Sequence, residues 1–141
     1  MVSKLLSVDG KITRSSFLIE QNNVFVKNNL FREAGLLENI AQTAALGIGY
    51  THYKKTREAG IRNQDDLNIE PAILPLADIS IGYIGAVRDL EVFNLPKVND
   101  ELITETTVEN KILNVTVISG KVWYKEELLA QCEMKVFMKD E

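Results

Sequence analysis

The chain has 141 residues, 45% hydrophobic and 26% charged, with a formal net charge of −4 and an isoelectric point near 5.1. That length fits one domain, 1–141, with a real core, and the acidic balance supplies no overall pull toward nucleic acid or an anionic membrane. The one cysteine, Cys132, excludes an internal disulfide and a cysteine-rich zinc site, and its alternating surroundings read as a structural thiol in a strand.

The first ten residues lack the continuous apolar run of a signal peptide. The longest mostly apolar stretch, about 34–50, is broken by Glu38, Asn39 and Gln42 and is too short for a membrane span. The expected compartment is the cytoplasm. Lys4 to Val8 reads as a strand closed by an Asp9-Gly10 turn, Ile12 to Glu20 as a second strand, and Val24 to Val26 as a short extended piece before Asn28 and Asn29.

A helix is predicted from about Phe31 to Arg57, with Lys54, Lys55 and Arg57 at the negative end of its dipole and Gly60 as a stop. Gly47 and Gly49 inside it read either as a close approach of another backbone or as a kinked end. The segment 58–76 reads as a loop. Ile79 to Phe93, Glu101 to Asn110, Ile112 to Tyr124 and Leu128 to Met138 then read as strands, the last two forming a hairpin around Lys125-Glu126-Glu127. On the third-last strand, Leu102, Thr104, Thr106 and Val108 share one face. Gly120 reads as a bulge.

The helix is apolar on nearly every face, so it needs cover on most sides. A curved antiparallel sheet wrapped around one long central helix supplies that cover, giving an α+β fold. One carboxylate, Glu38, sits near the start of this helix. A buried carboxylate needs a partner or a proton, so Glu38 is either half-exposed at the helix mouth or held there for chemistry.

At this point the chain resembles the hot-dog fold and, within it, the 3-hydroxyacyl-acyl-carrier-protein dehydratases. Leu37-Glu38-Asn39-Ile40-Ala41-Gln42-Thr43 resembles the family's helix motif L-x-E-A-x-A-Q, whose glutamate is catalytic. Val87 to Leu102 resembles the segment leading through a P-x-x-P-G-D-x-L turn into the next long strand. The family's second catalytic group is a histidine in H-F-P-G-x-P-x-x-P-G before the helix. Aligned without gaps on Glu38, this chain has Val24 at that position, and Gly35 lies two residues later than the family's helix-start glycine.

The resemblance implies a protein that binds acyl thioesters delivered on phosphopantetheine by acyl carrier protein or coenzyme A, as in fatty-acid or polyketide-like synthesis. It implies a homodimer or larger assembly and no resident cofactor or metal. Dehydration needs a base for the C2 proton, an acid for the departing hydroxyl and stabilisation of the thioester oxygen. Glu38 is the candidate acid–base residue, against the alternative of a carboxylate favoured by the helix dipole. Gln42, one turn later on the same face, either fixes that carboxylate or satisfies a backbone group. Asn28 and Asn29 read as substrate contacts or as turn and cap residues. Backbone amides around Gly82, Gly85 and Ala86 are the candidate oxyanion donors. Lys54, Lys55, Arg57 and Arg62 read as a docking patch for an acidic carrier or as a solvated helix end. His52, the only histidine, follows Glu38 by about 21 Å along the helix axis and reads as a surface residue.

Two other readings stay open. The absent histidine favours a thioesterase in which the helix carboxylate attacks the thioester or activates water. It equally favours a subunit without catalysis of its own, working in a hetero-oligomer.

Overall fold

The computed structural model describes residues 1–59 and 82–138. Gly60, Arg62 and most of the loop expected over 58–76 lie outside them. Among the described residues, eight strands and one helix follow in the order β1 (Lys4–Asp9), β2 (Ile12–Leu18), β3 (Val26–Lys27), β4 (Leu30–Phe31), α1 (Glu33–Ala59), β5 (Gly82–Val92), β6 (Glu101–Ile112), β7 (Val115–Tyr124) and β8 (Glu127–Met138). Six strands form one antiparallel sheet in the order β1-β2-β6-β7-β8-β5, and β3-β4 is a separate small hairpin. The sheet packs around α1, the α+β arrangement expected of a hot-dog fold.

The inward face of the sheet follows from its register. The pairs Thr13↔Thr106 and Ser15↔Thr104 set four buried side chains in a block across β2 and β6. Across β7 and β8 the same face is apolar apart from Thr116: Ile118, Val122, Ala130, Met134 and Val136. The helix matches both halves. Leu36, Ile40 and Ala44 form an apolar stripe at four-residue spacing, and Asn39, Thr43 and Gly47 form a second one that meets the hydroxyl block.

Close approach explains two glycines. A Cβ at Gly47 would lie 2.0 Å from Thr13 Oγ1, so a side chain rather than a backbone approaches there, and the helix runs on unbroken to Ala59. A Cβ at Gly120 would lie 2.4 Å from Ile40 Cγ2. Gly120 is therefore not the expected bulge. It pairs regularly with Thr106 and Cys132, and the bulges of β7 fall instead opposite Val108/Asn110 and at Val122/Trp123.

The helix begins at Glu33 rather than Phe31, because Phe31 N–H donates to Pro96 O at 2.8 Å and Arg32 N–H to Phe25 O at 3.0 Å. The C-terminal hairpin turns on Lys125 and Glu126, with Tyr124 paired to Glu127, and a further hairpin joins β6 to β7 through Leu113 and Asn114. Leu113 and Lys125 both take positive φ, 56° and 54°, at the first loop position, where Gly10 stands in the β1–β2 hairpin.

Cys132 is buried at 6% exposure, opposite Gly120. Burial pushes its thiol from 9.0 up to about 11. The unfolded chain releases this proton at lower pH than the folded one. The resulting stability is therefore full below the unfolded value and lost as pH rises through the folded one. Between about pH 8 and about pH 11, the wild type is expected to lose up to about 3 kcal/mol more than Cys132→Ala. Urea denaturation across that range checks it, and equal slopes for the two proteins would refute it.

Candidate functional site

Glu38 lies in the second turn of α1 and is half-buried, not sealed in the core. With Gln42, Ala45 and Leu46 it forms the helix face turned away from the two buried stripes; all four are half-buried. Gln42 Nε2 donates to Glu38 Oε1 at 3.2 Å, so the four-residue spacing does join this pair. The α-amino group of Met1 is close enough to feel the carboxylate. Burial lowers its pKa from 8.0, and the negative charge of Glu38 opposes part of that lowering.

Behind Glu38, the next residue turns inward. Asn39 is fully buried, its Oδ1 accepting from Thr104 Oγ1 and its Nδ2 donating to Met1 O at 2.8 Å. Thr43 Oγ1 donates to Asn39 O at 2.8 Å and is 2.7 Å from Ser15 Oγ. This buried polar set was not singled out from the sequence. Its signal was present: Asn39, Thr43 and Gly47 at four-residue spacing, with hydroxyl residues alternating on two strands.

The other nominated residues fall in separate places. Asn28 and Asn29 form the β3–β4 turn with φ of 54° and 65°, both exposed; asparagine tolerates this left-handed backbone well. Asn29 O accepts from Val98 N–H at 3.2 Å. Gly82 and Ala86 lie on β5, opposite Met138 and Lys135, while Gly85 falls in a register shift where the Phe137 ring crosses it. Among the described residues β5 pairs with β8 alone, and no other described strand bonds its second edge. Lys54 and His52 are exposed near the end of α1, Lys55 and Arg57 follow in the same helix, and Arg62 lies outside the described residues. Val24, at the family histidine's place, is 86% exposed.

A groove between the Asn94–Asp100 segment and the β7–β8 hairpin is lined by Pro96, Lys97, Tyr124 and Glu127, and by none of the nominated residues. Among the described residues no three His, Cys, Asp or Glu side chains gather as a metal site, and no helix is long and apolar enough to cross a membrane.

No family model and no curated protein matches the sequence. Solved structures do match in shape. A chain of the dehydratase heterocomplex ApeI:P from Xenorhabdus doucetiae superposes with a TM-score of 0.72 at 10% identity, over 99% of this chain and 83% of that one. A hypothetical thioesterase with coenzyme A from Streptococcus pneumoniae TIGR4 gives 0.62 at 8% identity, over 98% and 86%. The protein smu.793 from Streptococcus mutans UA159, bound to acetyl CoA, gives 0.62 at 7% identity, over 98% and 89%. These likenesses establish the hot-dog fold.

Proposed function

We propose that this chain binds an acyl thioester presented on phosphopantetheine and dehydrates its 3-hydroxyacyl group, with Glu38 as the acid–base residue. The observation that carries this reading is the Glu38–Gln42 pair, held at 3.2 Å on the half-buried outer face of the central helix. Support comes from the shape match to a dehydratase heterocomplex. In this scheme the carboxylate takes the C2 proton, the C2–C3 double bond forms, and the C3–O bond breaks. The proton returns from Glu38 to the departing oxygen, so water leaves and the carboxylate is regenerated. Backbone amides of β5 around Gly82, Gly85 and Ala86 would bear the charge on the thioester oxygen, and Asn28 and Asn29 would contact substrate. Lys54, Lys55, Arg57 and Arg62 would dock the acidic carrier.

The same reading makes the active form a homodimer or larger assembly, pairing through the second edge of β5, which no described strand bonds, and through helix contacts. Tyr83 and Phe93, each 55% exposed, flank that edge. Val24 in place of the histidine supports a second reading, hydrolysis of the thioester by the same carboxylate, and the coenzyme A-bound thioesterase of like shape favours it too.

The test incubates pure protein and Glu38→Gln with 3-hydroxyacyl and enoyl thioesters on acyl carrier protein and on coenzyme A, followed by mass spectrometry. Water loss that falls by about 10²–10⁴ in Glu38→Gln is the expected result. Acyl release with the same dependence would make it a thioesterase. Neither product would leave an acyl-binding subunit that works beside an active partner.

A further inference from the structure

The inner side of α1 is built unlike an ordinary helix–sheet contact. Its apolar stripe, Leu36, Ile40 and Ala44, meets an apolar surface and makes no directional bond. Such packing permits a helix to roll slightly about its axis. The Asn39–Thr43 stripe does not. Asn39 bonds across to Thr104 on β6 and to Met1 O, and Thr43 joins Ser15 on β2. The bonds to Thr104 and Ser15 are buried, so breaking either leaves an unpaired polar group, while the bond to Met1 O is part-buried. Gly47 brings α1 down onto Thr13 at the third point of the same line.

Glu38 immediately precedes Asn39, so the roll of the helix sets where its carboxylate points. With side chains reaching about 5–6 Å from a helix axis, a roll of about 10° displaces the carboxylate by about 1 Å. A displacement of that size costs about 100-fold in rate at a positioned catalytic group.

We infer that Asn39 and Thr43 are positioning residues: their buried bonds to Thr104 and Ser15 lock the roll of the helix and thereby aim Glu38 at the substrate. The inference rests on the reading of Glu38 given above, and it deepens that reading by naming what holds the carboxylate in place.

The experiment compares Asn39→Ala, Thr43→Val and, as a control on the apolar half, Ile118→Val. Melting temperatures identify which variants are folded and how far each is destabilised. Residual dipolar couplings of the backbone N–H vectors of α1, referred to those of the six-stranded sheet, read the roll of the helix. Asn39→Ala and Thr43→Val are expected to shift the periodic phase of these couplings along the helix by about 10° or more, and Ile118→Val to leave it in place. Turnover should fall about 10–100-fold in the two polar variants with KM within about twofold, because the acid–base step and not binding is disturbed. An unchanged phase in folded Asn39→Ala and Thr43→Val overturns the inference; should Asn39→Ala not fold, Thr43→Val decides it alone. A wild type without turnover, or Glu38→Gln at full rate, overturns the enzymatic reading instead, and the couplings still decide whether the stripe fixes the roll of the helix.

Discussion

Phe31→Ala is expected to destabilise the fold by about 3–5 kcal/mol. The side chain has no exposure, and its ring centroid lies 5.6 Å from that of Phe17 and 6.3 Å, edge-on, from that of Phe25. Its ring also fills the space over Gly35 so closely that a Cβ there would be 2.5 Å from Phe31 Cζ. Truncation therefore opens a cavity beside Phe17 of β2, Phe25 and Gly35 of the helix. The backbone of Phe31 ties to Pro96 at 2.8 Å, so the chain cannot slide to refill the gap. Urea denaturation monitored by circular dichroism measures the loss. A change under about 1 kcal/mol would mean that Phe25 swings inward to replace the ring.

Gly120 and Ile40 are expected to respond to mutation as one unit. Gly120→Ala alone places a methyl 2.4 Å from Ile40 Cγ2 and should cost about 1–3 kcal/mol. Ile40→Ala alone should cost about 2–5 kcal/mol, since Ile40 is fully buried. In the double variant the offending Cγ2 methyl and the Cγ1 methylene are gone, and the remaining Cβ at position 40 lies 3.4 Å from the new methyl, an ordinary contact. The double variant should therefore cost less than the sum of the singles by about 1–3 kcal/mol. Strict additivity would show that Ile40 turns aside freely and that the helix does not rest on the sheet at this point.

The pattern of residues announced the elements more clearly than their duties. The all-round apolar helix and the alternation of Leu102, Thr104 and Thr106 were enough to expect a sheet wrapped around a helix, since both are local periodicities. The Glu38–Gln42 contact was legible because four-residue spacing alone dictates it. Gly120 misled because a glycine in a strand signals either a bulge or a close neighbour, and the neighbour, Ile40, lies 80 positions earlier in the chain. The start of the helix was misplaced by two residues because the hydrogen bond from Phe31 to Pro96 is made by tertiary structure. The positive φ of Asn28 and Asn29 bears out their reading as turn residues, and it bears on the backbone alone, not on a substrate contact. Asn39 and Thr43 were passed over because a polar residue within an apolar helix has meaning only once the hydroxyls opposite it are known.

The pairing of β2 with β6 also governs the order in which this molecule can assemble. Arg14 and Glu105, bonded across those strands, are 91 positions apart. During synthesis the β1–β2 hairpin and then α1 leave the ribosome first, and a lone two-stranded hairpin is at best marginally stable. Until β6 emerges, Thr13 and Ser15 have a strand on one side only and lack Thr106 and Thr104 opposite, and until β7 emerges Ile40 has no Gly120 to rest on. Closure is therefore a late event of high contact order, driven by the last three strands, and refolding should be correspondingly slow. Nascent chains stalled before β6 should remain open to proteases along their whole length, and chains released after β8 should become resistant in one step.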